Sequence, residues 1–280
     1  MRSLIALPVC LLLLSAGSEA QPPRAAVIDL WADGGTGFGI FLPSDTPPRD
    51  ANGARISPRY SSDSAERLAR LGVFDFLFLN LEQGYQDETV REVASGVARV
   101  APDARPALVV RVPPLDRAVS RLTRGRIETV VASGADGIVF PHVRNAVEAA
   151  ELVAMVASTS ADVWSPSSPD GRFIVMLMVE DPEAVAARAL IADTDGFSLL
   201  ACGIGSLTAA LDGDRAVAEA SARSVLSVAE ASGRPSMMTA DDASLEERLE
   251  SGYRALLFRL SDDTPSLIER GRALVAPPSG

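Results

Sequence analysis

From residue 38 onward the chain alternates short apolar runs with longer amphipathic ones. Strands are predicted at Phe38–Pro43, Phe74–Leu81, Pro106–Val112, Gly137–Val143, Phe173–Glu180, Gly196–Gly203, Pro235–Ala240 and Tyr253–Leu260. Most are apolar throughout, the pattern of strands buried on both faces in a parallel sheet. Between them, apolar residues recur at three- and four-residue steps and predict helices over Ser64–Leu71, Glu88–Val100, Ala118–Ser133, Ala146–Ala157, Pro182–Ala192, Ala216–Ser232, Ser244–Ser251 and Pro265–Leu274. Ser64, Asp87 and the Asp181-Pro182 pair suit helix starts, whereas Gly72, Gly134, Gly233 and Gly252 sit where helices end.

Strict alternation of strand and helix implies right-handed crossovers and a parallel sheet. Eight such units close naturally into an α/β (β/α)8 TIM barrel, in which one domain typically takes about 250 residues. The competing arrangement is an open doubly wound sheet, which usually has fewer units and a glycine fingerprint after its first strand. Residues 21–280 are therefore expected to form one barrel domain. A long loop, 44–62, would overhang the mouth as a possible lid. A second loop, 158–172, would pack at the opposite end.

The first twenty residues stand apart. Arg2, the apolar run Leu4–Leu14 and the small residues around Ser18-Glu19-Ala20 have the layout of a signal peptide, so the mature chain is expected to be exported, to the periplasm or beyond the cell. The apolar run is too short for a stable membrane span. Removing it removes Cys10 and leaves Cys202, so no intramolecular disulfide forms.

Composition narrows the chemistry. A net charge of -11, without basic clusters, argues against nucleic acid as a partner. The chain has no lysine, which removes Schiff-base, pyridoxal-phosphate and P-loop chemistry. One histidine and one mature cysteine cannot build a zinc cage. A resident metal is thus expected to be a hard divalent ion with oxygen ligands, Mg2+ or Mn2+ foremost.

In a barrel, residues at strand C-termini converge on one mouth. Those ends carry Asn80, Glu82 and Gln83, then Arg111, His142, Glu180-Asp181, the segment Cys202-Gly203-Ile204-Gly205-Ser206, and Asp241-Asp242. Asp241 and Asp242 are equally well read as helix caps, and Cys202 as a small buried residue.

Five segments in order resemble the HpcH/HpaI aldolase and citrate lyase beta-subunit family: FDFLFLNLEQGYQD at 74–87, VRVPP at 110–114, ADGIVFPHV at 135–143, MLMVEDPEAV at 176–185 and GFSLLACGIGSLTAALDGD at 196–214. The resemblance implies a (β/α)8 barrel, often exchanging a helix between subunits and hence a homo-oligomer. It also implies a metal-dependent carbon–carbon lyase (aldolase) acting on a 2-oxo acid through an enolate. It makes Glu180 a metal ligand and gives Arg111 the enolate oxygen or the carboxylate. The backbone around Gly203, Gly205 and Ser206 would receive the substrate carboxylate.

The chain departs from that pattern. Gln83 stands where the family has a histidine base, and Ser206 where it has an aspartate ligand. Ala132 and Met178 replace an aspartate and a glutamine. A rebuilt site would use His142 as the base and Glu82 beside Glu180 on the metal, with Arg111 and Gln83 binding substrate. The alternatives are a catalytically degenerate barrel that binds a small carboxylate, and an isomerase or hydrolase variant of the same enolate chemistry.

Overall fold

The eight apolar runs form eight parallel strands, and the last pairs with the first to close a barrel. In the computed structural model, which describes residues 24–54, 56–116, 118 and 120–276, the strands are β1 Gly37–Phe41, β2 Phe76–Asn80, β3 Ala107–Arg111, β4 Gly137–Phe140, β5 Ile174–Met178, β6 Leu199–Ala201, β7 Ser236–Thr239 and β8 Ala255–Phe258. Residues 1–20, read above as a signal peptide, lie outside the described residues.

The helices are α1 Ala26–Ala32, α2 Ser62–Ala69, α3 Asp87–Val97, α4 Ser120–Ala132, α5 Ala146–Ala157, α6 Pro182–Ala192, α7 Ile204–Ala210, α8 Arg215–Ala231, α9 Leu245–Glu250 and α10 Thr264–Val275. No helix among the described residues is long and apolar enough to cross a membrane.

Two-residue periodicity explains the uninterrupted apolar runs. Leu77, Leu79, Leu108, Val110, Ile138, Phe140, Val175 and Leu177 face the helical layer, where they join one buried cluster. Phe76, Phe78, Val109, Val139, Ile174, Met176 and Leu257 alternate with them and fill the barrel interior. On β1 the two lower interior positions, Gly37 and Gly39, are glycine because neighbouring side chains, Trp31 and Phe76 among them, need the space. A Cβ on Gly39 would stand 2.3 Å from Phe76 Cε2.

Gly72, Gly134, Gly233 and Gly252 adopt φ of 65–99° after their helices, as their positions predicted. Two caps differ from expectation. Helix α2 begins earlier, and Ser61 accepts the Ser64 amide, so Ser64 is the capped residue and Ser61 the cap. Helix α3 takes Gln86 as its N-cap, with Asp87 as the first helical residue.

Helix α1 was not foreseen, since seven residues without a side-chain cap carry little signal. Tertiary packing holds it: Val27, Ile28 and Trp31 are buried and close the N-terminal floor of the barrel. Trp31 donates from Nε1 to the Arg254 carbonyl at 2.8 Å and stacks on Trp164, with centroids 6.2 Å apart. Trp164 belongs to loop 158–172, which therefore packs at the floor as expected. Loop 44–62 brings Tyr60 to the opposite end, against the mouth.

Candidate active site

The pleat that sends every second side chain inward also selects what reaches the mouth. On β2 the inward file runs Phe76, Phe78, Asn80, and on β3 it runs Ala107, Val109, Arg111. Beyond β5 it passes from Met178 to Glu180, and beyond β6 from Ala201 to Gly203. Apolar interior layers thus give way to one polar layer at the C-terminal end. That layer borders a cavity of about 1120 Å3, extending from Arg111 and Glu180 across to Phe41, Tyr60 and Arg259.

Arg111 and Glu180, which line this cavity, meet the side chains of Glu82 and His142 beside it. The same Arg111 guanidinium nitrogen lies 2.6 Å from Glu82 Oε2 and 3.4 Å from Glu180 Oε2. His142 Nε2 lies 3.2 Å from Glu82 Oε1 and 3.6 Å from Glu180 Oε2. On the other side of the ring, Nδ1 is 3.2 Å from Asp181 Oδ2.

His142 holds a left-handed backbone (φ 52°), a conformation that costs on the order of 1 kcal/mol in a residue other than glycine. That turn lets its amide donate to Glu180 Oε2 at 3.4 Å.

Glu180 is fully buried. Burial pushes its carboxyl above the ordinary range; the charges of Arg111 and His142 oppose the shift and that of Glu82 adds to it. Its Oε1 has no hydrogen-bond partner, and neither does Arg111 Nε. A buried polar atom left unmatched is unfavourable by about 1–3 kcal/mol, so the site is not arranged for stability. Gly203 makes room for this carboxylate, since a Cβ there would stand 1.7 Å from Glu180 Oε1. The neighbouring Cys202 is buried, and its thiol is pushed up to about 12, first by burial and then by the Glu180 charge. It is therefore an inert packing residue.

Glu82, His142 and Glu180 each offer a ligand atom, all within 4.8 Å of one another. A buried carboxylate with an unmatched oxygen beside a second carboxylate and an imidazole is a donor set suited to a divalent cation.

The profile of the HpcH/HpaI aldolase/citrate lyase family matches residues 57–257. The chain belongs to that family. No curated protein matches it. Among solved structures, a member of the family from Burkholderia cenocepacia J2315 is 21% identical, with a TM-score of 0.66 over 90% of this chain and 98% of that one. Macrophomate synthase is 19% identical, with a TM-score of 0.63 over 92% and 93%. The citrate lyase beta subunit of M. tuberculosis, complexed with oxaloacetate and magnesium, is 18% identical, with a TM-score of 0.59 over 89% and 100%. At these identities the likeness establishes the barrel.

Against this family background, Glu82, Arg111, His142 and Glu180 are brought together, and Gly203, Gly205 and Ser206 line the cavity. Gln83 is different. The chain turns sharply after β2, directing Glu82 to Arg111 and leaving Gln83 exposed and outside the cavity lining.

An imidazole nitrogen stands beside the expected oxygen donors in this cluster. Asp181 is placed at the mouth by its position after β5, but its contact with His142 is not anticipated from the sequence. It occupies the N-cap position of α6 as predicted, but makes no side-chain capping bond, and its carboxylate faces His142. Asp241, read as a cap, accepts the Ser244 amide at 3.0 Å in the turn that precedes α9, whose N-cap is Ser244 with no side-chain capping bond.

Proposed function

We propose that the protein is a metal-dependent carbon–carbon lyase acting on a 2-oxo acid. The observation that carries this reading is the convergence of Glu82, Glu180, Arg111 and His142 at the C-terminal mouth of a family barrel. A relative complexed with oxaloacetate and magnesium, and another complexed with magnesium, acetoacetate and coenzyme A, support the substrate class.

Glu180 and Glu82 would hold the divalent ion. Bound there, such an ion supplies Lewis-acid polarisation of a keto group. Arg111 is placed to neutralise the substrate carboxylate or the oxygen on which charge develops as the carbon–carbon bond breaks. Gly203, Gly205 and Ser206 border the space for the carboxylate, and Gly203 keeps the approach to Glu180 open. The low-dielectric surroundings of Glu180 strengthen each of these charge interactions.

The apolar N-terminal run supports export of this lyase, and a mature chain beginning near Gln21 in secreted material would test it.

Oxaloacetate is the test substrate, since its decarboxylation generates the same enolate. Turnover that requires Mg2+ or Mn2+ and disappears in Glu180→Gln supports the lyase reading. Carboxylate binding without any turnover would assign the protein instead as a binding barrel. Equal behaviour of Glu180→Gln and wild type would remove the metal reading.

A further inference from the structure

We infer that His142 is itself a metal ligand, so that Glu82, Glu180 and His142 Nε2 form a mixed nitrogen–oxygen site selective for Mn2+ and later first-row divalent ions over Mg2+. This inference rests on the metal-dependent reading above and assigns the donor set and ion class within it.

The imidazole faces carboxylates on both edges, with Asp181 Oδ2 at 3.2 Å from Nδ1 and Glu82 Oε1 and Glu180 Oε2 at 3.2 and 3.6 Å from Nε2. A neutral ring has a single N–H. With that N–H on Nδ1, donating to Asp181, the Nε2 lone pair points at two acceptor oxygens. Without a metal a second proton on Nε2 would bridge these oxygens; a divalent cation between the three atoms takes that proton's place and turns the contact into coordination.

Two further observations point the same way. Glu180 is completely buried, and its Oε2 faces Nε2 and also accepts from Arg111 and the His142 amide. Its Oε1, on the Gly203 side, has no hydrogen-bond partner, so the carboxylate keeps coordinating capacity that no protein donor uses. The second observation is Asp181. A carboxylate on the far nitrogen of a ligating histidine fixes the tautomer and raises ligand basicity, and its loss typically weakens metal binding about 10–100-fold. Asp181 makes that contact in place of a side-chain cap on α6. It is a positioning residue.

The donor set defines the ion. Mg2+ prefers oxygen and keeps much of its water, whereas an imidazole favours Mn2+ less than Co2+ or Zn2+ but all three over Mg2+. Glu82 is positioned for monodentate use, because Arg111 holds its Oε2 while Oε1 faces the ring. The left-handed backbone of His142 is retained at a cost in strain, and it is what turns the residue back over Glu180.

The test uses untagged protein with Mn2+ as the probe, read by the loss of the free-ion EPR signal and by pulsed EPR of the bound ion. Because the chain has one histidine, any imidazole 14N coupling to bound Mn2+ comes from His142. The expected result is one bound ion with 14N coupling, with Mg2+ competing only at tenfold or greater excess. His142→Asn, a residue that tolerates the same left-handed backbone, should lose the coupling and weaken Mn2+ binding at least tenfold. Asp181→Asn should keep the coupling and weaken binding about tenfold. Bound Mn2+ without 14N coupling, together with unchanged affinity in His142→Asn, overturns the inference but leaves a two-carboxylate lyase site standing. Absence of any divalent binding to the wild-type chain overturns both.

Discussion

At the floor of the barrel, Arg105 meets Asp136 through two hydrogen bonds of 2.5 and 2.8 Å, while at the mouth Arg111 divides one nitrogen between two glutamates at 2.6 and 3.4 Å. Several other charged or polar floor groups are matched as well, although the buried Ser236 hydroxyl is not. Asp136 also accepts the Leu108 amide, and Asp75 accepts the Phe38 amide and Arg272. Trp31 finds a carbonyl, and Ser198 bonds both the Trp164 carbonyl and the Val175 amide. At the mouth, Glu180 Oε1 and Arg111 Nε are unmatched, and His142 is backbone-strained. The same fold thus matches its charges at the floor and leaves some unmatched at the mouth, where the proposed chemistry would take place.

The largest expected effect lies at the mouth. Glu180→Gln should reduce metal-dependent oxaloacetate turnover about 1000-fold, or about 4 kcal/mol, in steady-state assays. Its thermal midpoint should stay level or rise. Because the buried carboxyl titrates above its ordinary value of 4.5, the native state binds that proton more tightly than the unfolded chain, so ionisation weakens stability as pH rises. A marked fall in the midpoint would erase the contrast between the two ends.

At the floor the effects should reverse. Asp136→Ala strands Arg105 and should cost about 3–5 kcal/mol in urea unfolding, while turnover per folded molecule is unchanged. Trp31→Ala should cost about 3 kcal/mol by removing the plug beneath the interior layers, again without altering turnover. A change in substrate KM in either variant would show that floor and mouth are coupled.

The smallest effect concerns the Glu219–Arg248 pair, which links α8 to α9 at 2.6 Å. Hydrogen bonding from Arg248 is the main cause holding the Glu219 carboxyl below its ordinary value of 4.5. The stabilisation is therefore complete above that value and lost as pH falls through the lowered one. Glu219→Gln should unfold about 1 kcal/mol more easily at pH 7, and the difference should close in acid. A gap independent of pH would assign the loss to packing.

Much of the mouth was legible because strands buried on both faces can end in a charge only where the barrel opens. Arg111 and Glu180 follow from that rule, and the hydrophobic runs that precede them identify their strands. The fate of adjacent residues was not legible. Glu82 and Gln83 are neighbours, and a tight turn rather than any feature of composition directs one inward and the other to solvent. Asp181 carries an N-cap signature whether or not its carboxylate is used elsewhere, so local pattern concealed its contact with His142. Helix α1 was invisible for a related reason, since its stability comes from Trp164 and the interior layers, far along the chain.

Periodicity and end-of-strand chemistry determined the alternation of strand and helix, the closed parallel barrel and the end at which charge collects, because those properties depend on spacing within short segments. Tertiary structure decided which carboxylates share an arginine, which oxygen remains unmatched and which atoms surround the imidazole. Those outcomes depend on separations of a few ångströms between residues dozens of positions apart, set by strand register and by the turns that follow each strand.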